Sequence, residues 1–162
     1  MYNASNFHKA MQAPPTSMQT DATIDLRCPT SLALDLFGDR WTLLVIRDLM
    51  FLGKCRYGEF LASPEGISTN ILADRLKKLL QQGLIEKFPD PDSARTAVYL
   101  LTESGLGLYP IMLEIMRWGI RSDPRARVTP EVEQAIKEGG DTLPLTLLER
   151  NRAERAALQS RS

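Results

Sequence analysis

The segment from Ile67 to Leu101 constrains the fold more than any other part of the chain. It opens on Ile67-Ser68-Thr69-Asn70. A serine hydroxyl placed just before an apolar-periodic run can accept from backbone N–H groups two or three residues on, and so start a helix. That run carries Arg75, Lys77 and Lys78 and stops at Gly83. Two short apolar stretches follow, Leu84 to Phe88 and Ala97 to Leu101, separated by the turn formers Pro89-Asp90-Pro91-Asp92-Ser93. A helix with a polar outer face followed directly by a β-hairpin predicts a winged helix-turn-helix. In such a unit the helix can enter a DNA major groove while the hairpin reaches along the backbone.

The flanking sequence supplies the rest of that unit. A first helix is expected after Cys28, with Pro29 at its first position, Leu32, Ala33, Leu36 and Phe37 on one side, and Gly38 at its end. A second begins near Asp39 or Arg40, includes Trp41, Leu44, Val45, Leu49 and Met50, and stops before Gly53. Lys54 to Arg56 could form a short strand, and Tyr57 to Ala62 a two-turn helix. Ser63-Pro64-Glu65-Gly66 then makes the corner. Beyond the hairpin, Thr102-Glu103-Ser104-Gly105 opens a long helix to about Ile120, which Pro110 either kinks or enters near its start. Two further helices are expected, Pro130 to Glu138 and roughly Leu145 to Leu158, on either side of Gly139-Gly140.

At 100° per residue, Leu72, Leu76 and Leu79 centre the buried stripe of the 69–81 helix. Asn70, Asp74, Lys77 and Gln81 lie opposite, with Lys78 at the edge. Asn70 can pair with adenine and Lys77 with guanine or phosphate; an ordinary solvated face is the alternative. Ser68 and Thr69 sit at a helix N-terminus, which attracts phosphate, though Ser68 can equally serve only as a cap. Arg75 falls beside the apolar stripe, which predicts an ion pair with Glu59 or Asp48 rather than a groove contact. Arg56, at the start of the preceding helix, and Arg95, the cation near the hairpin tip, are the candidate phosphate contacts of their elements. Asp90 and Asp92 offset Arg95 in charge.

Composition narrows the function classes. Hydrophobic residues at 43% and charged residues at 25% suit a soluble globular domain, and no apolar run approaches the ~20 residues that span a bilayer. The lone Lys9 with no apolar stretch behind it argues against export, and two cysteines argue for a reducing cytoplasm rather than a disulfide framework. One histidine, His8, and no Cys/His cluster leave no metal site, no cofactor and no nucleophile–base pattern, so an enzyme is not expected. The zero net charge, 20 Lys+Arg against 20 Asp+Glu, is the main objection to a nucleic-acid role. It keeps open a winged helix used as a protein–protein interaction module.

The ordered series Cys28-Pro29, Leu36-Phe37-Gly38-Asp39-Arg40-Trp41-Thr42, Arg56-Tyr57-Gly58-Glu59-Phe60, Ile67-Ser68, Leu72-Ala73-Asp74-Arg75-Leu76, Gly83-Leu84-Ile85, Tyr99-Leu100-Leu101-Thr102 and Trp118-Gly119 resembles the HxlR-type bacterial transcriptional regulators, relatives of the MarR regulators. The likeness runs from Cys28 to about Arg121. It implies a cytoplasmic homodimer of winged-helix domains, with N-terminal and long C-terminal helices at the dimer interface, bound to a palindromic operator in double-stranded DNA. It further implies that the cysteine matching Cys28 answers electrophiles or oxidants in several members. The residues agree in part, since Cys28 precedes a helix and follows Arg27, and both favour a thiolate; a small buried hydrophobe is the other reading. Cys55, between Lys54 and Arg56, could ionise for a similar reason. Phe37, Trp41, Tyr109 and Trp118 could line a small-molecule pocket between the DNA-reading domain and the dimer helices, or simply fill core.

The expected fold class is therefore mainly α with a small β-hairpin (α+β), a winged helix-turn-helix with extra N- and C-terminal dimerisation helices. Residues 1–26 form a flexible arm, 27–121 the winged domain with its dimerisation helices, and 122–162 a C-terminal helical extension. The expected function is a DNA-binding transcriptional regulator, a homodimeric repressor released by thiol oxidation, an electrophile or a small ligand.

Overall fold

The computed structural model describes residues 28–138 and 145–160. The N-terminal arm expected over 1–26 lies outside the described residues. The elements run α1 (Pro29–Phe37), α2 (Arg40–Phe51), α3 (Tyr57–Leu61), α4 (Thr69–Gln81), β1 (Ile85–Asp90), β2 (Ser93–Leu101), α5 (Glu103–Leu106), α6 (Tyr109–Ser122), α7 (Pro130–Glu138) and α8 (Leu145–Gln159). This is a winged helix-turn-helix: α3 and α4 form the helix-turn-helix, and the antiparallel β1–β2 hairpin is the wing.

Local chemistry explains most of the boundaries. Asp39 caps α2, accepting from the Trp41 and Thr42 amides at 3.0 and 3.1 Å. Ser68 caps α4 through the Ile71 amide. Glu59 reaches back to the amides of Cys55 and Arg56 at 2.7 and 2.8 Å and closes the first turn of α3. α4 runs into Gly83, whose φ of +65° turns the chain sharply into β1 where a side chain would be strained.

The core gathers Val45, Ile46, Leu49 and Met50 from α2, Phe60 from α3, and Leu72, Leu76 and Leu79 from α4. Ile85, Tyr99 and Leu101 of the hairpin join them, with Leu106, Tyr109, Met112 and Leu113 from α5 and α6. Each such side chain contributes about 1.5–3 kcal/mol by leaving water. Asp48, buried in α2, receives Lys54 Nζ at 3.1 Å together with Ser63 and Arg47, and so ties α2 to the loops on either side of α3.

Three expectations change. The strand over Lys54 to Arg56 shrinks to a single bridge, Arg56 with Val98, because the chain turns at once into the capped α3. The long helix from Thr102 is two helices. Gly105 packs so tightly on the Leu84 carbonyl that a Cβ would overlap it, α5 ends at Leu106, and Pro110 stands in the first turn of α6 instead of kinking its interior. The wing is longer than its apolar runs, extending to Asp90 and from Ser93, with a register shift at Pro89/Asp90.

Candidate nucleic-acid interface

The outer face of α4 is open, as the wheel requires. Thr69, Asn70, Asp74, Lys77 and Gln81 are all exposed, while Leu72 and Leu79 are fully buried beneath them. Lys78 is half-buried at the edge of the face. Ser68 is exposed and already engaged as the cap, so its hydroxyl is oriented at the helix N-terminus. The Tyr57 hydroxyl donates to the Thr69 carbonyl at 2.7 Å and holds that N-terminus against α3.

Arg75 is ion-paired, as its place beside the apolar stripe predicts, but its partner differs from both acids expected. Nη1 bonds Asp39 Oδ2 at 3.0 Å, and Nη2 lies 3.1 Å from Asp74. Glu59 is spent on capping α3 and Asp48 on the Lys54–Ser63–Arg47 cluster, which leaves the α2 cap as the acid facing α4. Burial opposes ionisation of Asp39, but bonds from Thr42, the charge of Arg75 and the Trp41 amide outweigh it and hold its carboxyl below the usual range.

Arg56, the phosphate contact expected at the start of α3, is ion-paired within the chain. Its Nε and Nη2 bond Asp90 at 2.7 and 3.0 Å, and Nη2 reaches Asp92 at 3.2 Å. Asp90, with its side chain only 2% exposed, also accepts from Thr96 Oγ1 at 2.7 Å and the Asp92 amide at 3.0 Å. The Arg56 bonds first, then the others, push Asp90 well below the usual carboxylate range. The two wing acids therefore neutralise Arg56 instead of offsetting Arg95, and they latch the wing to the start of α3. Arg95 stays exposed and, among the described residues, in no ion pair. With Lys87 it borders an open groove between the wing and Tyr57-Gly58 of α3. Lys87 escaped the sequence reading, although period-2 alternation from Ile85 places it on that face.

Cys28 stands exposed at the N-cap of α1. The Ser31 amide first, then the Thr30 amide and hydroxyl, lower its thiol below the ordinary range, although no full capping hydrogen bond forms. Cys55 behaves oppositely to expectation. Burial first, and the Glu59 charge next, outweigh Arg56 and push the thiol up to about 11. The four aromatic residues do not converge on a pocket. Tyr109 is 2% exposed and packs on the Phe51 ring at 5.8 Å, whereas Trp118 is 66% exposed. Phe37 and Trp41 pack on the main core, and the Trp41 ring also carries the Arg40 guanidinium at 4.8 Å. Phe37 and Trp41 belong to α1 and α2, and Tyr109 and Trp118 lie on opposite faces of α6. Instead, Trp118 extends an exposed stripe with Ile111 and Ile115 on α6, and α1 exposes Leu32, Leu34 and Leu36.

No described helix is long and apolar enough to cross a membrane. The model of the HxlR-like helix-turn-helix family matches residues 36–127. A curated HTH-type transcriptional regulator of Mycobacterium tuberculosis is 38% identical over 98 residues, and the match covers 60% of this chain and 61% of that protein. The HTH-type transcriptional regulator YodB of Bacillus subtilis is 36% identical over 92 residues, covering 56% of this chain and 81% of YodB. Among solved structures, a MarR-family putative transcriptional regulator from Porphyromonas gingivalis superposes with a TM-score of 0.52 at 37% identity, over 59% of this chain and 93% of that one. The redox regulator HypR in its oxidized form superposes with a TM-score of 0.53 at 29% identity, over 63% of this chain and 100% of HypR.

Proposed function

Since the chain belongs to the HxlR-like helix-turn-helix family, whose model spans more than half of it, we propose that it is a cytoplasmic, homodimeric transcriptional repressor that binds palindromic operator DNA. The observation that carries this reading is the outer face of α4. Ser68, Thr69, Asn70 and Lys77 stand exposed on a helix whose other side is fixed by Leu72, Leu76, Leu79 and Arg75. α4 enters the major groove, with Asn70 and Lys77 reading bases and Ser68, Thr69 and Lys78 meeting phosphates. Arg95, with its wing latched in place, meets backbone or minor groove.

Dimerisation follows from the uncovered apolar residues of α1 and α6, which a second copy would bury. Two copies of α4 about 34 Å apart then occupy successive major grooves. Release follows from chemistry at Cys28, an exposed thiol whose surroundings favour the thiolate. The name of HypR, a redox regulator, supports that reading. Oxidation or electrophile attack next to α1 alters the helix that sets the spacing, and a small change is enough because both α4 helices must dock together.

The test is a salt titration on duplex DNA from the chain's own upstream region. A DNA-binding protein weakens steeply and log-linearly with salt. Zero net charge favours the rival, a winged helix that binds another protein, and that reading predicts no such slope. Diamide should release the wild type and leave C28S bound; equal release from both refutes the sensor.

A further inference from the structure

The run Ala97 to Leu101 is apolar at every position, so a wing built from it has apolar side chains on both faces. Tyr99 and Leu101 point into the main core. Val98 and Leu100 point the other way, where a wing ordinarily meets water, yet they are only 5% and 3% exposed. Their cover is α8. Leu158 forms one buried cluster with them, with Phe88 and Cys55 at the margin. Around that contact α8 is joined by polar bonds. Asn151 Nδ2 and Arg155 Nη2 donate to the Leu101 carbonyl at 3.2 and 2.9 Å. Arg155 pairs with Glu86 of β1, and Arg150 Nη2 donates to the Met50 carbonyl at the end of α2 at 2.9 Å. α8 thus meets the base of the wing where Asn151 bonds Leu101, and about two turns later Leu158 joins Val98 and Leu100.

We propose that α8 is a brace that sets the pose of the wing, and that Asn151, Arg155 and Leu158 are positioning residues for an element they join only from behind. A two-stranded hairpin is marginal by itself in water. This one is held at its tip by Arg56–Asp90, at the start of α3, and along its length by α8. The brace lies beyond the residues matched by the family model, which end at 127. Its effect on DNA affinity rests on the function proposed above; its effect on the wing does not.

Amide hydrogen exchange on the full-length chain and the variants E86R, R155E, E86R/R155E and L158D tests the brace, with anisotropy on duplex DNA from the chain's own upstream region read in parallel. R155E, E86R and L158D should each lower protection of the 85–101 amides about tenfold, the range of one to two kcal/mol, while the α2 and α4 amides stay as in the wild type. The double variant E86R/R155E restores the ion pair but not the bond to the Leu101 carbonyl, so it should recover part of the protection. DNA affinity should fall and recover with it. Wing protection unchanged in R155E and L158D overturns the brace, as does a loss spread evenly over α2, α4 and the wing. A wild type that binds no duplex refutes the proposed function, and the exchange pattern still decides the brace.

Discussion

The polar link between α4 and α2 is a single carboxylate, and D39A measures it. In the folded chain Asp39 accepts from the Trp41 and Thr42 amides, from the Thr42 hydroxyl and from Arg75 Nη1. Losing an N-cap of this kind costs about 1 kcal/mol. Thr42 is fully buried, so leaving its hydroxyl without an acceptor costs about 1 kcal/mol more. The ion pair with Arg75 is partly exposed on both sides and adds about 0.5 kcal/mol. A total of about 2.5 kcal/mol corresponds to a Tm lower by about 5–10 °C in a chain of this size. D39N keeps the cap through one oxygen but replaces Oδ2, the acceptor of the Thr42 hydroxyl and Arg75, with a donor NH2 group, so its Tm should fall by about 3–6 °C. Differential scanning calorimetry at neutral pH separates the two. If D39A lowers Tm no further than D39N does, the cap contributes nothing, and if neither variant lowers it, α4 is positioned by its apolar face alone.

Three further outcomes follow from the same structure. K78A, which removes a phosphate contact, should weaken DNA binding across sequences and reduce the magnitude of the log–log salt slope by about one, whereas N70A should cost about 1–3 kcal/mol and relax preference at one base pair; anisotropy on matched and altered duplexes reads both. W118E, which places a charge in the exposed stripe of α6, should convert a dimer to monomer by size-exclusion light scattering without lowering Tm of the monomeric unit. Acid should destabilise the fold. Asp39, Glu59, Glu65 and Asp90 all hold their carboxyls below the ordinary range. Their stabilisation is therefore complete above the unfolded-state values of about 4 and is lost as pH falls through the lower folded-state values. Urea midpoints flat from pH 7 down to pH 3 would contradict those four assignments.

Local rules settled what the elements are. A serine before a 3.6-periodic stripe made α4, a glycine stopped it, two apolar runs around a Pro/Asp turn made the wing, and the wheel separated Asn70 and Lys77 from Leu72 and Leu79. These depend on neighbours within a turn or a hairpin, which the order of residues specifies directly. The partners of long charged side chains were not legible in the same way. Arg75 could be placed beside the stripe, but Asp39, Glu59 and Asp48 compete for it, and the choice turned on which acids other groups already occupied. The partners of Arg56 were not legible because Asp90 and Asp92 lie more than thirty positions away, and only the hairpin's return brings them to it. Cys55 read as ionisable from its basic neighbours, while its burial under the wing and α8 raised it instead. The role of α8 was the most distant of all. An uninterrupted apolar run at Ala97 to Leu101 said that both faces of the wing needed cover, but not what would supply it. Periodicity and capping are local and survive in the sequence alone; occupancy and burial are decided by segments that meet only once the chain has folded.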